Sequence, residues 1–362
     1  MHVPADLPRI TKSDLVVDNS ILSKMVCSTE GAMRHVLHLT LPNEAAELRC
    51  GSALHEGWAR WLVTKDPAAG LARFDELYRP WAAEHVPVLD REGKPHSRRW
   101  KPVHRIFERW LEKEGPRFLR QFSVDPMHVE IPVWAPLGAL HEGKFKSFDP
   151  ENEDEVDLLR DPKHRPPVVV FAALLDAIVK KRSVGGYWSC DHKSAGGLHQ
   201  WFRDRQEDAS QFTGQLWAAK QRGVGPLKGV FINGMEIKSL NSSDKKCYKH
   251  GVPYHKCALE PEHHAQGLLM PITRSRHEID AWERTAIGLT KKYIRLRRKV
   301  ETIDDVRELP MEGRFIGNCS RCTFRDFCRL GRTKIAAAKF VKNEWNPLEH
   351  AFTRGGVREH AA

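Results

Sequence analysis

Val168-Val169-Val170-Phe171-Ala172-Ala173-Leu174-Leu175-Asp176, followed by Tyr187-Trp188-Ser189-Cys190-Asp191-His192-Lys193, is the stretch whose reading decides the fold. Two apolar runs flank a short basic segment that closes on Gly185-Gly186, and each run ends in charge. That is the pattern of a β-hairpin carrying acids into a core. Side chains alternate across a strand, so Asp191 and Lys193 share one face and His192 takes the other. Asp176, arriving on the partner strand, meets that face. Two carboxylates beside one lysine repel and resist desolvation unless a divalent cation lies between them. A hard cation on carboxylate oxygens, Mg²⁺ or Mn²⁺, is the chemistry of phosphodiester hydrolysis. The plainer reading of the same residues is a surface hairpin whose acids pair with nearby lysines.

The order Asp176, Asp191-x-Lys193 and then Gln211 at the head of a helix resembles the PD-(D/E)XK nuclease superfamily. Upstream, Arg49-Cys50-Gly51-Ser52-Ala53-Leu54-His55 is similar to the Gly-x-x-x-His segment of its RecB-like branch, which includes phage exonucleases, the AddB subunit and CRISPR-associated nucleases. The resemblance implies an α/β fold with a restriction-endonuclease-like mixed β-sheet flanked by helices. It implies that His55, Asp176, Asp191 and the backbone carbonyl of His192 hold the metal. Lys193 would orient or activate a water, or stabilise charge on the phosphorane-like transition state, and Gln211 would hold that water or the substrate phosphate. Glu130 stands where the family often has an acid and is a secondary candidate. Two departures stand out: Gln215 replaces a common tyrosine, and Leu174 replaces a common glycine. An imidazole among oxygen ligands favours Mn²⁺ over Mg²⁺.

Cys319, Cys322 and Cys328 form a C-x₂-C-x₅-C triplet, with Cys27 alone near the start of the chain. Closely spaced thiols are soft ligands for zinc or an iron–sulfur centre, and spacing does not choose between them. Iron–sulfur members of the RecB-like branch carry one cysteine before the Gly-x-x-x-His segment and three after the core. The resemblance therefore implies a [4Fe–4S] cluster on Cys27, Cys319, Cys322 and Cys328, a clip closing a very long loop. Cys50 is the competitor for the fourth position. Cys247, His250, His255 and Cys257 have ligand chemistry but no recognisable metal spacing.

Lys and Arg total 58 against 47 Asp and Glu, a net charge of +11, which suits a polyanionic partner such as DNA. The run Lys291-Lys292-Tyr293-Ile294-Arg295-Leu296-Arg297-Arg298-Lys299 concentrates that charge on a helix, where Lys291, Lys292, Arg295 and Arg298 are candidate phosphate contacts. Lys245, Lys246 and Lys249 are further candidate contacts in a polar loop. No apolar run approaches the roughly 18 residues a membrane span needs, so a cytoplasmic protein is expected, bacterial or phage-encoded by the resemblance. No Walker A motif is present, so an ATP motor of that type is not expected.

The pattern divides the chain into a helical region, 1–126, carrying Cys27 and the Gly-x-x-x-His segment, and a nuclease core, 127–240. A loop and basic helix (241–300), a cysteine region (301–335) and a basic tail (336–362) follow. Helices are expected over 20–39, 44–63, 208–221 and 274–300, and strands over 128–134 and 229–237. The function implied by the resemblance is an exonuclease acting on linear DNA, single-stranded or with free ends, in recombination, repair or phage DNA processing, with a helicase or recombination partner compatible. The competing readings are a non-catalytic DNA-binding or adaptor protein on the same scaffold and a zinc-stabilised restriction-type endonuclease.

Overall fold

The protein is described from a computed structural model, which covers residues 10–11, 13–42, 46–87, 96, 98–148, 165–237, 252, 266–314 and 317–347. Strand β1 (Leu15–Val17) leads into helix α1 (Asn19–Lys24), the short α2 (Ser28–Gly31), a π-turn (Ala32–Val36) and β2 (Leu39–Thr40). Three long helices follow: α3 (Ala46–Thr64), α4 (Pro67–His85) and α5 (Trp100–Gln121). The central strands are β3 (Phe122–His141), β4 (Lys144–Ser147), β5 (Val168–Lys181) and β6 (Tyr187–Ala195). Next come α6 (Gln200–Glu207), α7 (Ser210–Gln221), β7 (Leu227–Glu236), β8 (Gly267–Ile272) and α8 (Arg276–Lys299). The last elements are α9 (Ile303–Arg307), α10 (Arg325–Arg329), α11 (Lys334–Ala337) and β9 (Val341–Lys342).

Local chemistry sets these boundaries. Asp18 caps α1 by accepting from the Ile21 amide at 2.8 Å. Asp66 caps α4, whose Pro67 occupies the first turn, where its missing N–H costs nothing. Ser275 and Glu278 form a reciprocal capping box at the start of α8.

The mixed sheet runs β4-β3-β5-β6-β7-β8, with β1 joining β5 in parallel. Only β6 and β7 are parallel along the main path. β5 is apolar from Val168 to Leu175 and again from Ala177 to Val179, because helices cover both faces of the sheet; Asp176 is the exception within it. On one side α3, α4 and α5 bury Trp58, Trp61, Phe74 and Phe107 against Ala177, Val179 and Phe231. On the other, Trp217 of α7 and Trp282 of α8 pack on Phe171 and join Ile131, Val133 and Leu175.

Several expectations are corrected here. The helix expected over 20–39 is broken: α1 ends at Lys24 and Cys27 begins a second helix, leaving its side chain beside the C-terminal cysteines. The sheet reaches beyond 127–240, taking β1 and β8 as well. The tail is built into the fold as far as residue 347, because β9 pairs antiparallel with β2 and the Trp345 indole donates to Asp18 at 2.9 Å. The strand expected over 128–134 is longer, β3 running Phe122–His141 and turning back into β4, its antiparallel partner. Cys247, His250, His255, Cys257, Lys245, Lys246 and Lys249 lie outside the described residues.

Candidate active site

The β5–β6 ladder runs from Lys180↔Tyr187 to Ala177↔Cys190 and goes no further. Beyond it β6 continues on β7 as far as Ala195↔Glu236, while β1 takes the edge of β5 at Val169–Phe171. The two strands therefore fork, and the next residues along them, Asp176 and Asp191, stand at the crotch. Both are buried.

β3 brings a third carboxylate. Val129 pairs with Ala177 and Ile131 with Leu175, so Glu130 stands opposite Asp176. Glu130 holds φ at +52°, a left-handed conformation that costs a non-glycine residue about 1–3 kcal/mol. Around it the strand changes sides: Val129 packs with the α3–α5 layer and Ile131 with the α7–α8 layer. Above them α3 buries Leu54, Trp58 and Trp61, which sets His55, on the edge of that stripe, over the fork. Donor atoms of His55, Glu130 and Asp176 all lie within 4.8 Å of one another. His55 Nδ1 is 3.0 Å from Asp176 Oδ2, which also accepts from the His192 amide at 2.7 Å.

Asp191 takes the second half of the site. Its Oδ2 is 2.6 Å from Lys193 Nζ, whose ammonium lies 5.7 Å over the Phe212 ring. Its Oδ1 receives the Gln215 amide at 3.4 Å, and that same amide reaches the Leu174 carbonyl at 3.3 Å. The His192 ring turns the opposite way and stacks on Trp58 at 4.7 Å and 15°. Asn233 Nδ2 lies 3.1 Å from His192 Nδ1.

Charge is divided unequally across the fork. Burial alone would raise the Asp176 pKa, but the adjacent His55 imidazole, then His192 and Lys193, outweigh it and hold the carboxylate well below its usual range. Asp191 is pushed upward by burial and by Asp176, against the pull of Lys193. Burial, with His55 and Lys193 nearby, brings His192 down to about 3, so its ring is neutral at pH 7 and held there by Trp58 and Asn233. A neutral Nδ1 accepting from Asn233 places the ring proton on Nε2.

Of the residues the sequence singled out, His55, Glu130 and Asp176 converge as one donor set, with Asp191 and Lys193 beside them. For His192 the backbone contact observed at the site is through its N–H, to Asp176. Gln211 is half-exposed on the first turn of α7, and Gln215, one turn on, makes the contacts to the fork. Gln215, Asn233 and Trp58 went unassigned; the i,i+4 spacing of Gln211 and Gln215 was the available signal, since it puts both on one helix face.

The cysteines separate clearly. Cys27, Cys319, Cys322 and Cys328 line a single cavity with Gly313, where a Cβ would sit 3.4 Å from Cys27 Sγ and 3.5 Å from Cys319 Sγ. Burial pushes the Cys322 thiol up to about 11. Cys50 is buried elsewhere, near Tyr78 and Arg98 in the α3–α5 layer. On α8, Lys291, Arg295 and Arg298 are exposed, whereas Lys292 pairs with Glu312 at 2.8 Å.

The family profile of the PD-(D/E)XK nuclease superfamily matches residues 26–329. No curated protein matches the chain.

Proposed function

The chain belongs to the PD-(D/E)XK nuclease superfamily, whose members hydrolyse phosphodiester bonds with divalent metal ions, and from that premise we propose that it is a metal-dependent deoxyribonuclease working at the fork between β5 and β6. The observation that carries this reading is the buried donor set of His55, Glu130 and Asp176 beside the Asp191–Lys193 pair. Two carboxylates and an imidazole, opposed and largely withdrawn from water, fit a hard-to-borderline dication such as Mg²⁺ or Mn²⁺.

His55, Glu130 and Asp176 would hold the ion, with Asp191 completing the site. When bound, it supplies Lewis acidity toward the scissile phosphate. Lys193 presents an ammonium fixed between Asp191 and the Phe212 ring, placed to stabilise negative charge growing on the phosphate or to orient a water. The His192 amide donates to Asp176 and aims it, and the Trp58 stack holds the His192 ring. The exposed Lys291, Arg295 and Arg298 would follow the DNA backbone. Lys292 is committed to Glu312 and contributes mainly to the fold.

The finer reading is an exonuclease of the RecB-like branch, acting on DNA with free ends and compatible with a helicase or recombination partner. It is supported by the placement of His55 from the Gly-x-x-x-His segment over the site and by the Cys27, Cys319, Cys322 and Cys328 quartet around one cavity. We assign that cavity a [4Fe–4S] cluster. Four thiols on one cavity fit a soft metal centre, and Gly313 supplies the clearance a side chain would occupy.

The test is anaerobically purified protein with Mn²⁺, given end-labelled linear DNA and covalently closed circles, with Asp191→Ala as control. Loss of linear DNA alone, abolished by the substitution, supports the exonuclease. Cutting of circles moves the reading to an endonuclease, and binding without substitution-sensitive cleavage favours an adaptor. Iron with acid-labile sulfide, lost in Cys27→Ser and kept in Cys50→Ser, supports the cluster; zinc without iron overturns it.

A further inference from the structure

Gln215 spans the fork beyond the end of the β5–β6 ladder, touching Leu174 of β5 and Asp191 of β6. It is buried at 7% exposure on α7, and its Nε2 faces two acceptors, the Leu174 carbonyl at 3.3 Å and Asp191 Oδ1 at 3.4 Å. Two acceptors on one side leave the amide a single workable orientation, N–H toward them and Oε1 away. That Oε1 is itself buried and meets no donor among the described residues. A buried acceptor left unmade costs about 1–3 kcal/mol, so the amide is held here for what its N–H groups do.

We propose that Gln215 is a positioning residue of this site: its side-chain amide ties Asp191 to the edge of β5 at Leu174 and so sets where the Asp191 carboxylate stands toward the cation. The inference rests on the nuclease reading above. Gln211, a turn away and partly exposed, makes no such contact to Asp191 among the described residues. Leu174 enters through its backbone, so its bulky side chain does not interfere, and the carbonyl that β6 leaves behind is the one the amide captures. An amide suits this job because its NH2 group carries two donors, one for each acceptor, whereas a tyrosine hydroxyl at this position would offer a single donor.

Gln215→Leu and Gln215→Met keep the volume and remove the donor. Mn²⁺ binding without DNA, followed by electron paramagnetic resonance of the free ion, and water-proton relaxation of the bound ion are measured beside kcat and KM on linear DNA. Residues that orient ligands of a metal typically change affinity or activity 10–100-fold. The expected result for both variants is native circular dichroism, Mn²⁺ binding weakened about 10-fold or more, altered relaxation of the bound ion, and kcat down by about 10–100-fold with KM for DNA within about two-fold. Folded variants that bind Mn²⁺ and turn over like wild type would overturn the role of Gln215 alone. A wild-type protein that binds no divalent cation would overturn the nuclease reading and this inference together. If Gln215→Leu fails to fold, Gln215→Met decides, since its unbranched stem follows the same path into the core.

Discussion

Glu130→Gln should make the cation-free protein more stable while making it a poor metal binder. Glu130 and Asp176 face each other across β3 and β5, and their donor oxygens are no more than 4.8 Å apart. At an effective dielectric near 20, two unit charges at 4.8 Å repel by about 3.5 kcal/mol. The adjacent His55 recovers some of that, leaving about 1–3 kcal/mol for the amide to relieve. A chain of 362 residues unfolds with an entropy of about 0.76 kcal/mol/K at ~2.1 cal/mol/K per residue, so the cation-free Tm should rise by about 1–4 °C. Mn²⁺ at 100 times its Kd should add about 2.7 kcal/mol, roughly 3–4 °C, to wild type and less than a third of that to the variant. Differential scanning calorimetry with and without Mn²⁺ reads both effects. A variant that melts lower without cation and keeps the full Mn²⁺ increment would refute the reasoning, because Glu130 would then be a structural acid.

Lys193→Ala should cut turnover by about 10²–10³-fold, the scale of losing one stabilising donor, while DNA retention in a gel-shift assay stays near wild type; full cleavage by this variant would remove Lys193 from the chemistry. Trp58→Ala empties a fully buried site that stacks on His192 and packs on Phe107 and Trp110, so about 3–5 kcal/mol should be lost in chemical denaturation. Glu312 joins Ser28 to Lys292: burial would raise its pKa, but the contacts to Lys292 and Ser28 prevail and hold it at about 2. Its folded pKa is depressed, so its stabilisation is complete above the ordinary carboxylate value near 4.5 and fades as pH falls toward 2; Glu312→Gln should flatten acid unfolding across that window, and an unchanged acid limb would contradict the assignment.

The hairpin was legible because two long apolar runs ending in charge have no comfortable place but a core with a purpose, and the fork grew from it. Of the cysteines, the tight triplet asks for a fourth thiol without saying which; Cys27 came from the resemblance, and it lines one cavity with Cys319, Cys322 and Cys328. β1 was missed because three residues, Leu15–Val17, carry too little pattern to set a period. The break in the 20–39 helix was missed for a related reason: Cys27 and Ser28 interrupt helical geometry through tertiary contacts, among them Ser28 to Glu312 at 2.7 Å, which no local propensity encodes. Glu130 remained secondary because its prominence comes from a left-handed φ that a glutamate does not advertise. Gln215 was passed over for Gln211 because motif spacing marks a helix face, whereas the turn that meets the fork is fixed by how α7 packs through Trp217 and Phe212.

The most direct measurement is cleavage of an end-labelled DNA strand by chelated protein to which Mn²⁺ is added back, with Asp176→Ala beside wild type. Cleavage that returns with the ion in wild type alone is the expected result. Cleavage that is indifferent to the chelator, or that survives in Asp176→Ala, would contradict a metal-dependent site at the fork.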